Sequence, residues 1–161
     1  MAKKQDKNKP KTGVQIRNKK AWFTYEIIEK VEAGISLLGT EVKSLRGGQG
    51  DLEGSYGRLI NGECWLVGCQ IAQYEQAGAN NHDPHRNRKL LLHKNQINKL
   101  RGKLLERGFT LVPLRIYFND RGIAKVELAV ARGKRQYDKR QKLQQDQQKR
   151  DVARSMKQYR R

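Results

Sequence analysis

Apolar residues along this chain follow two different spacings, and together they outline most of its elements. Trp22 to Val31 (WFTYEIIEKV) is dense in aromatic and β-branched residues, which predicts a strand. Gly34 breaks it, and Ile35 to Leu38 is a short continuation. Leu52 to Ile60 and Glu63 to Ile71 flank Asn61-Gly62, a dipeptide suited to the left-handed backbone of a two-residue hairpin turn. Thr110 to Phe118 and Ile123 to Ala131 predict a second hairpin across residues 119–122, with Pro113 at an edge or a bulge. Helical spacing occurs in two places. In 40–46, Thr40 can cap, Val42 and Leu45 share a face, and Gly47-Gly48 stops the run. Over Lys89 to Arg107, residues Leu92, Ile97, Leu100, Leu104 and Leu105 recur at steps of mostly three or four, with Gly108 as the C′ residue. Five or six strands and two helices joined by short turns predict a mainly β domain with flanking helices. The expected form is an antiparallel sheet closed into a small barrel, a frame common among binders of RNA and single strands.

Both ends depart from this pattern. Met1 to Thr12 is Lys-rich and has no large apolar residue after Met1, which predicts disorder. Residues 132–161 hold twelve Lys/Arg against three Asp, with no Pro and almost nothing apolar. The predicted organisation is a basic arm at 1–13, a globular body at 14–131 and a basic tail at 132–161. The net charge of +19 is carried mainly at the ends: +7 in residues 1–20, +9 in 132–161 and only +3 in between. A nearly balanced body with two cationic arms suits a long polyanion, nucleic acid first and a membrane surface second. The membrane reading weakens on inspection. The chain has no long apolar run, and the tail's apolar stripe is only Val152, Met156 and Tyr159. The tail residues mostly favour helix, and the cations from Lys139 to Arg161 recur at helical steps. The tail is therefore expected to be disordered alone and to become helical on a partner.

Candidate chemistry adds little. Cys64 and Cys69 lie in an apolar stretch and read as small buried hydrophobes in a reducing, cytosolic setting. His82, Asp83, His85 and His93 lack the spacing of a metal site, and no metal or cofactor is expected. His82, Arg86, Arg88 and Lys89 instead form a donor-rich patch, facing RNA or holding a loop. Gly47-Gly48-Gln49-Gly50 lacks the Lys-Ser/Thr of a phosphate loop and reads as a helix stop. No nucleophile motif or tuned carboxylate pair is present, so catalysis is disfavoured. Asn18 to Phe23 mixes basic groups with two rings. Lysines meet phosphates and rings stack on unpaired bases, and alternation along a strand would leave at least one of Trp22 and Phe23 available.

Eight blocks, in order, resemble the SmpB (SsrA-binding protein) family of bacterial trans-translation. They are Asn18–Ala21, Glu32–Ile35, Gly39–Arg46, Asn81–Pro84, Arg88–His93, Leu111–Leu114, Gly133–Arg140 and Arg150–Arg154, and the resemblance spans about residues 14–157. It implies a β-barrel of oligonucleotide-binding (OB) type. It also implies binding to the tRNA-like domain of transfer-messenger RNA (tmRNA), and entry with that RNA into stalled ribosomes. By the same resemblance Asn18, Lys19, Lys20, Phe23, Glu32, Leu91 and His93 match tmRNA-binding positions. Family members often carry a histidine where Phe23 stands, so a stacking ring is kept but a histidine hydrogen bond is not. Lys134, Arg135, Tyr137, Asp138, Lys139 and Arg140 match the tail motif that engages ribosomal RNA, and Arg150, Arg154 and Met156 match further tail positions. The implied place of the tail is the decoding centre and the empty mRNA channel.

Overall fold

The structure is a computed structural model that describes residues 13–134, 145, 147–152 and 156. Its elements run β1 (Ile16–Arg17), α1 (Ala21–Thr24), β2 (Tyr25–Ile35), α2 (Gly39–Arg46), β3 (Gly50–Asp51), β4 (Tyr56–Ile60) and β5 (Glu63–Val67). They continue with β6 (Gln70–Ile71), a 3-10 segment (Glu75–Asn80), β7 (Arg88–Leu91), α3 (Lys94–Leu105), β8 (Phe109–Phe118) and β9 (Ala124–Gly133). The main sheet has the order β1-β8-β4-β5-β7-β2-β9, every pairing in it is antiparallel, and β9 also pairs with β8. That last pairing joins β8, β4, β5, β7, β2 and β9 into a closed ring, as expected of a small OB-like barrel. β3 and β6 form a separate two-stranded sheet.

Both predicted hairpins are present. Asn61 (φ 50°) and Gly62 (φ 75°) take the left-handed conformations of a tight turn between β4 and β5. The outer halves of the predicted strands leave this hairpin, since Gln70–Ile71 pairs with Gly50–Asp51 instead. Pro113 lies at a bulge, where the register between β8 and β9 shifts before Arg115. Several boundaries differ from expectation, and Gly34 does not break the first strand: β2 runs through it to Ile35, where pairing to β9 and β7 holds the glycine in the sheet. Trp22 and Phe23 belong to the one-turn helix α1, and the strand starts at Tyr25. The side chain of Asn18 braces the chain as it enters this turn, its Oδ1 accepting from the Ala21 backbone N–H (3.1 Å), and the Phe23 and Thr24 N–H groups close the turn on Lys20 O. The predicted long helix begins only at Lys94, because Arg88–Leu91 pairs with β5 and β2 as a strand. Thr40 does not cap α2. The N-cap position is Leu38, whose N–H donates to Glu41 Oε2 (2.7 Å).

The barrel interior is filled by Ala33, Leu66, Leu90, Leu111, Val126 and Leu128, with Leu100 of α3 closing one end. A smaller cluster of Ala21, Val112, Leu114, Ala129 and Ala131 seats α1 against β8 and β9. Cys64 and Cys69 are buried and free, and burial raises both thiols to about 11, so neither is a reactive thiolate at neutral pH.

Ring closure has a narrow point. β4 meets β8 at one register pair, Gly57 opposite Leu111. A Cβ on Gly57 would lie 2.4 Å from Leu111 Cδ2 and 2.8 Å from its Cγ. Gly57→Ala should therefore force the two strands apart and destabilise the protein by about 1–3 kcal/mol, the usual cost of overpacking. Urea denaturation of the purified variant checks this.

Candidate nucleic-acid interface

The outer face of β2, β9 and β8 carries a crossed lattice of charges. Glu32 on β2, Glu127 on β9 and Arg115 on β8 occupy one row of the sheet. Arg115 Nε donates to Glu127 Oε2 (2.7 Å), and Lys30 Nζ lies 3.4 Å from Glu127 Oε1. Glu32 takes Lys125 Nζ on one oxygen (3.2 Å) and the Tyr117 hydroxyl on the other. The Tyr117 hydrogen bond, then Lys125 and the nearby Arg115, hold the Glu32 carboxyl below its ordinary range, so it is a carboxylate at neutral pH.

Two clefts flank this lattice and share Lys30. On one side a cleft of about 800 Å³ is lined by Glu32, Gly34, Leu91, His93, Lys99 and Lys125, with Leu92, Leu100 and Ile123 among its apolar members. On the other, a cleft of about 390 Å³ is lined by Arg17, Asn18, Lys19, Trp22, Arg115 and Glu127. The result is one continuous surface: an apolar floor, a rim of lysines and arginines, and an acceptor near its middle. Cations at such a rim meet phosphates, and apolar side chains and rings meet exposed bases.

The residues singled out from the sequence fall into this surface unequally. Glu32, Leu91 (54% exposed) and His93 share the larger cleft, although β2 is distant in sequence from β7 and the adjoining start of α3. His93 sits at the N-terminus of α3, where its N–H donates to Gln96 Oε1 (3.0 Å). Lys19 is exposed and lines the smaller cleft. Lys20 is exposed and paired with Glu53. Asn18 is 7% exposed, and its Nδ2 donates to Leu52 O and Pro113 O. With its Oδ1 on Ala21 N, its amide is committed within the protein. Its contribution is to hold the turn that presents Lys19, Lys20 and Trp22. Phe23 is half-buried, whereas Trp22 is 47% exposed with Lys30 Nζ 4.8 Å from its ring centroid. Trp22 is therefore the more open of the two rings, and the α1 turn rather than strand alternation decides that.

The donor-rich patch resolves toward structure. His82 is buried, with Nδ1 2.9 Å from Thr40 Oγ1 and Nε2 3.1 Å from Ile71 O. Arg88 is wholly buried against Glu41 (2.8 Å) and donates to the carbonyls of Cys69, Arg86 and Pro84. Arg86 reaches the other Glu41 oxygen (2.5 Å). Neither His82 nor Arg88 can face RNA. Among the described residues no three His, Cys, Asp or Glu side chains gather as a ligand set.

Lys30, Arg115, Tyr117 and Lys125 lie on this face of the sheet and are not among the residues the sequence singles out. Alternation hints that positions 30 and 32, and 125 and 127, face the same way. Only the register shows that they meet.

The tail leaves beside this face. Lys134 N donates to Thr24 O (3.0 Å) and its Nζ to Trp22 O (3.0 Å), which ties the end of β9 to α1. Arg135, Tyr137, Asp138, Lys139, Arg140 and Arg154 lie outside the described residues, as do residues 1–12 of the N-terminal arm. Residues 145, 147–152 and 156 are helical. Arg150 belongs to that stretch, and Val152 and Met156 are exposed.

Comparison with known proteins agrees with this geometry. The family model described as "SmpB protein" matches residues 15–158. The SsrA-binding protein of Syntrophobacter fumaroxidans is 51% identical over 152 residues, covering 92% of this chain and 94% of its own. That of Chlorobaculum tepidum is 47% identical over 159 residues, covering 99% and 100%. A solved chain from the structure "tmRNA-SmpB: a journey to the center of the bacterial ribosome" superposes with a TM-score of 0.66. It is 52% identical and covers 77% of this chain and 87% of its own. A small antiparallel barrel with a basic face is a frame many proteins share. A match in sequence across both barrel and tail is not, and on that ground the chain belongs to the SmpB protein family.

Proposed function

We propose that the chain binds the tRNA-like domain of tmRNA through the β2–β9–β8 face and its two clefts, and delivers that RNA to stalled ribosomes as a non-catalytic adaptor in trans-translation. The observation that carries this reading is the convergence of Glu32, Leu91 and His93 in one cationic cleft, in a chain about half identical to SsrA-binding proteins. Lys19, Lys30 and Lys125 contribute phosphate contacts, and their weight falls steeply with salt. Leu91, Trp22 and the half-buried ring of Phe23 offer surface to unpaired bases. Such an adaptor works in the cytoplasm. No helix among the described residues is long and apolar enough to cross a membrane.

The acid in this surface carries the specificity. A carboxylate repels phosphate, so Glu32 helps binding only by accepting from a base amino group or a 2′-hydroxyl. Glu32→Ala should weaken tmRNA binding more than binding to an unstructured RNA of equal length. Filter binding of both RNAs at one salt concentration measures the difference, and equal losses would exclude a specific role.

The tail is the second contact. Its cations, from the Lys134–Arg140 motif to Arg150 and Arg154, lie against ribosomal RNA in the decoding centre and the vacant mRNA channel, with Met156 on the apolar side of the helix. Its helix is completed there. Backbone NMR of the free protein tests this order of events: a persistent helix through 135–161 without RNA contradicts it.

A further inference from the structure

Glu32 and Glu127 stand directly opposite each other across β2 and β9. Carboxylates so placed repel. Glu127 is answered by two cations, Arg115 (2.7 Å) and Lys30 (3.4 Å). Glu32 is answered by one cation, Lys125 (3.2 Å), and by a neutral donor, the Tyr117 hydroxyl. The arrangement is asymmetric: at Glu32 a hydrogen bond stands where Glu127 has a second charge. A hydrogen bond orients a carboxylate without neutralising it. The ring of Tyr117 is held in turn, with the Arg115 guanidinium 4.8 Å from its centroid. Burial and the bond to Glu32 push the Tyr117 phenol up to about 12, so it stays protonated and donates.

We propose that Tyr117 is a positioning residue for RNA selectivity. Its hydroxyl holds Glu32 so that the free acceptor positions of the carboxylate face the cleft shared with Leu91 and His93, where they accept from a nucleobase amino group or a 2′-hydroxyl. A carboxylate offers roughly four acceptor positions, so the two bonds within the protein leave capacity for RNA. Without the hydroxyl, Lys125 alone directs Glu32, and a lysine on a flexible stem fixes no orientation. The inference rests on the reading of this face as the tmRNA surface.

Y117F removes the hydroxyl and keeps the ring beneath Arg115. Its tmRNA affinity should fall about three- to tenfold, the weight of one hydrogen bond, with the affinity for an unstructured RNA of equal length unchanged. Carbon-13 NMR of the Glu32 carboxyl should show its titration moving up toward the ordinary value, and the melting temperature should hold. Unchanged tmRNA affinity in Y117F alongside a selective loss in E32A overturns the role of Tyr117 and leaves the surface assignment standing. Equal losses on both RNAs in Y117F overturn selectivity. Unchanged affinity for both RNAs in both variants overturns the surface assignment itself.

Discussion

Removing residues 135–161 should leave tmRNA binding nearly intact while peptide tagging on stalled ribosomes falls to background. The body justifies the first half. β9 ends at Gly133, and the barrel and its charged face are complete without the residues beyond Lys134. The cut belongs after Lys134 because its two bonds to α1 secure the turn that carries Trp22. The second half follows from charge and from the proposed place of the tail. Residues 135–161 carry ten Lys/Arg against three Asp. An arm of that density in an RNA-walled channel releases many counterions, at a slope of about 0.7 per phosphate contacted on single strands. The truncated protein should therefore bind the ribosome weakly and with a shallower salt dependence. Filter binding with tmRNA and a tagging assay in a reconstituted translation system separate the two functions. Parallel loss of both would mean that the tail is a general RNA-affinity element and the chain a generic RNA-binding protein.

Glu41→Ala should cost about 3–5 kcal/mol, because it leaves Arg88 as a buried, unpaired charge. Arginine cannot escape by losing its proton. In a protein of this size that corresponds to a drop of roughly 10 °C or more in melting temperature, which calorimetry at neutral pH would read directly. Glu41→Gln should cost less, since an amide oxygen still accepts from one arginine. The same carboxylate makes stability depend on pH. Burial alone would raise its pKa, but hydrogen bonds from Arg86 and the Leu38 N–H, with the charges of Arg88 and Arg86, outweigh burial and lower it. A lowered folded pKa means the unfolded chain takes up the proton first. The contribution is thus fully present above the ordinary value of 4.5 and is lost as pH falls through the lower folded value. Acid titration of the wild type against Glu41→Gln should show the wild type losing stability more steeply below that point.

This pair also shows where sequence reading reached its limit. Arg86 and Arg88, in a polar loop with two histidines, look like surface donors. Arg88 is inside, and Arg86 is half-buried beside it, because one acid from a helix more than forty residues earlier meets both there. Asn18 is a similar case: a polar residue beside two lysines proves to be the clamp beneath them. In contrast, Asn61-Gly62, the Gly47-Gly48 stop and the Pro113 bulge were legible, because each depends on backbone preferences of one or two residues. The boundary at Tyr25 and the strand at Arg88–Leu91 were not, since a single helical turn braced by Asn18 and pairing to distant strands override local periodicity.

By itself, then, the sequence determined the class of domain, its turns, its cationic ends, and the family blocks that point to tmRNA. These follow from local conformational preference, from charge, which adds up regardless of fold, and from residue order. The tertiary structure alone decided which charges remain available to RNA. Strand register places Glu32 between Lys125 and Tyr117, brings it to Leu91 and His93, and buries Arg88 on Glu41. The physical reason is that a side chain's chemistry depends on partners far away in sequence, and those partners are chosen by closing the barrel rather than by any local pattern.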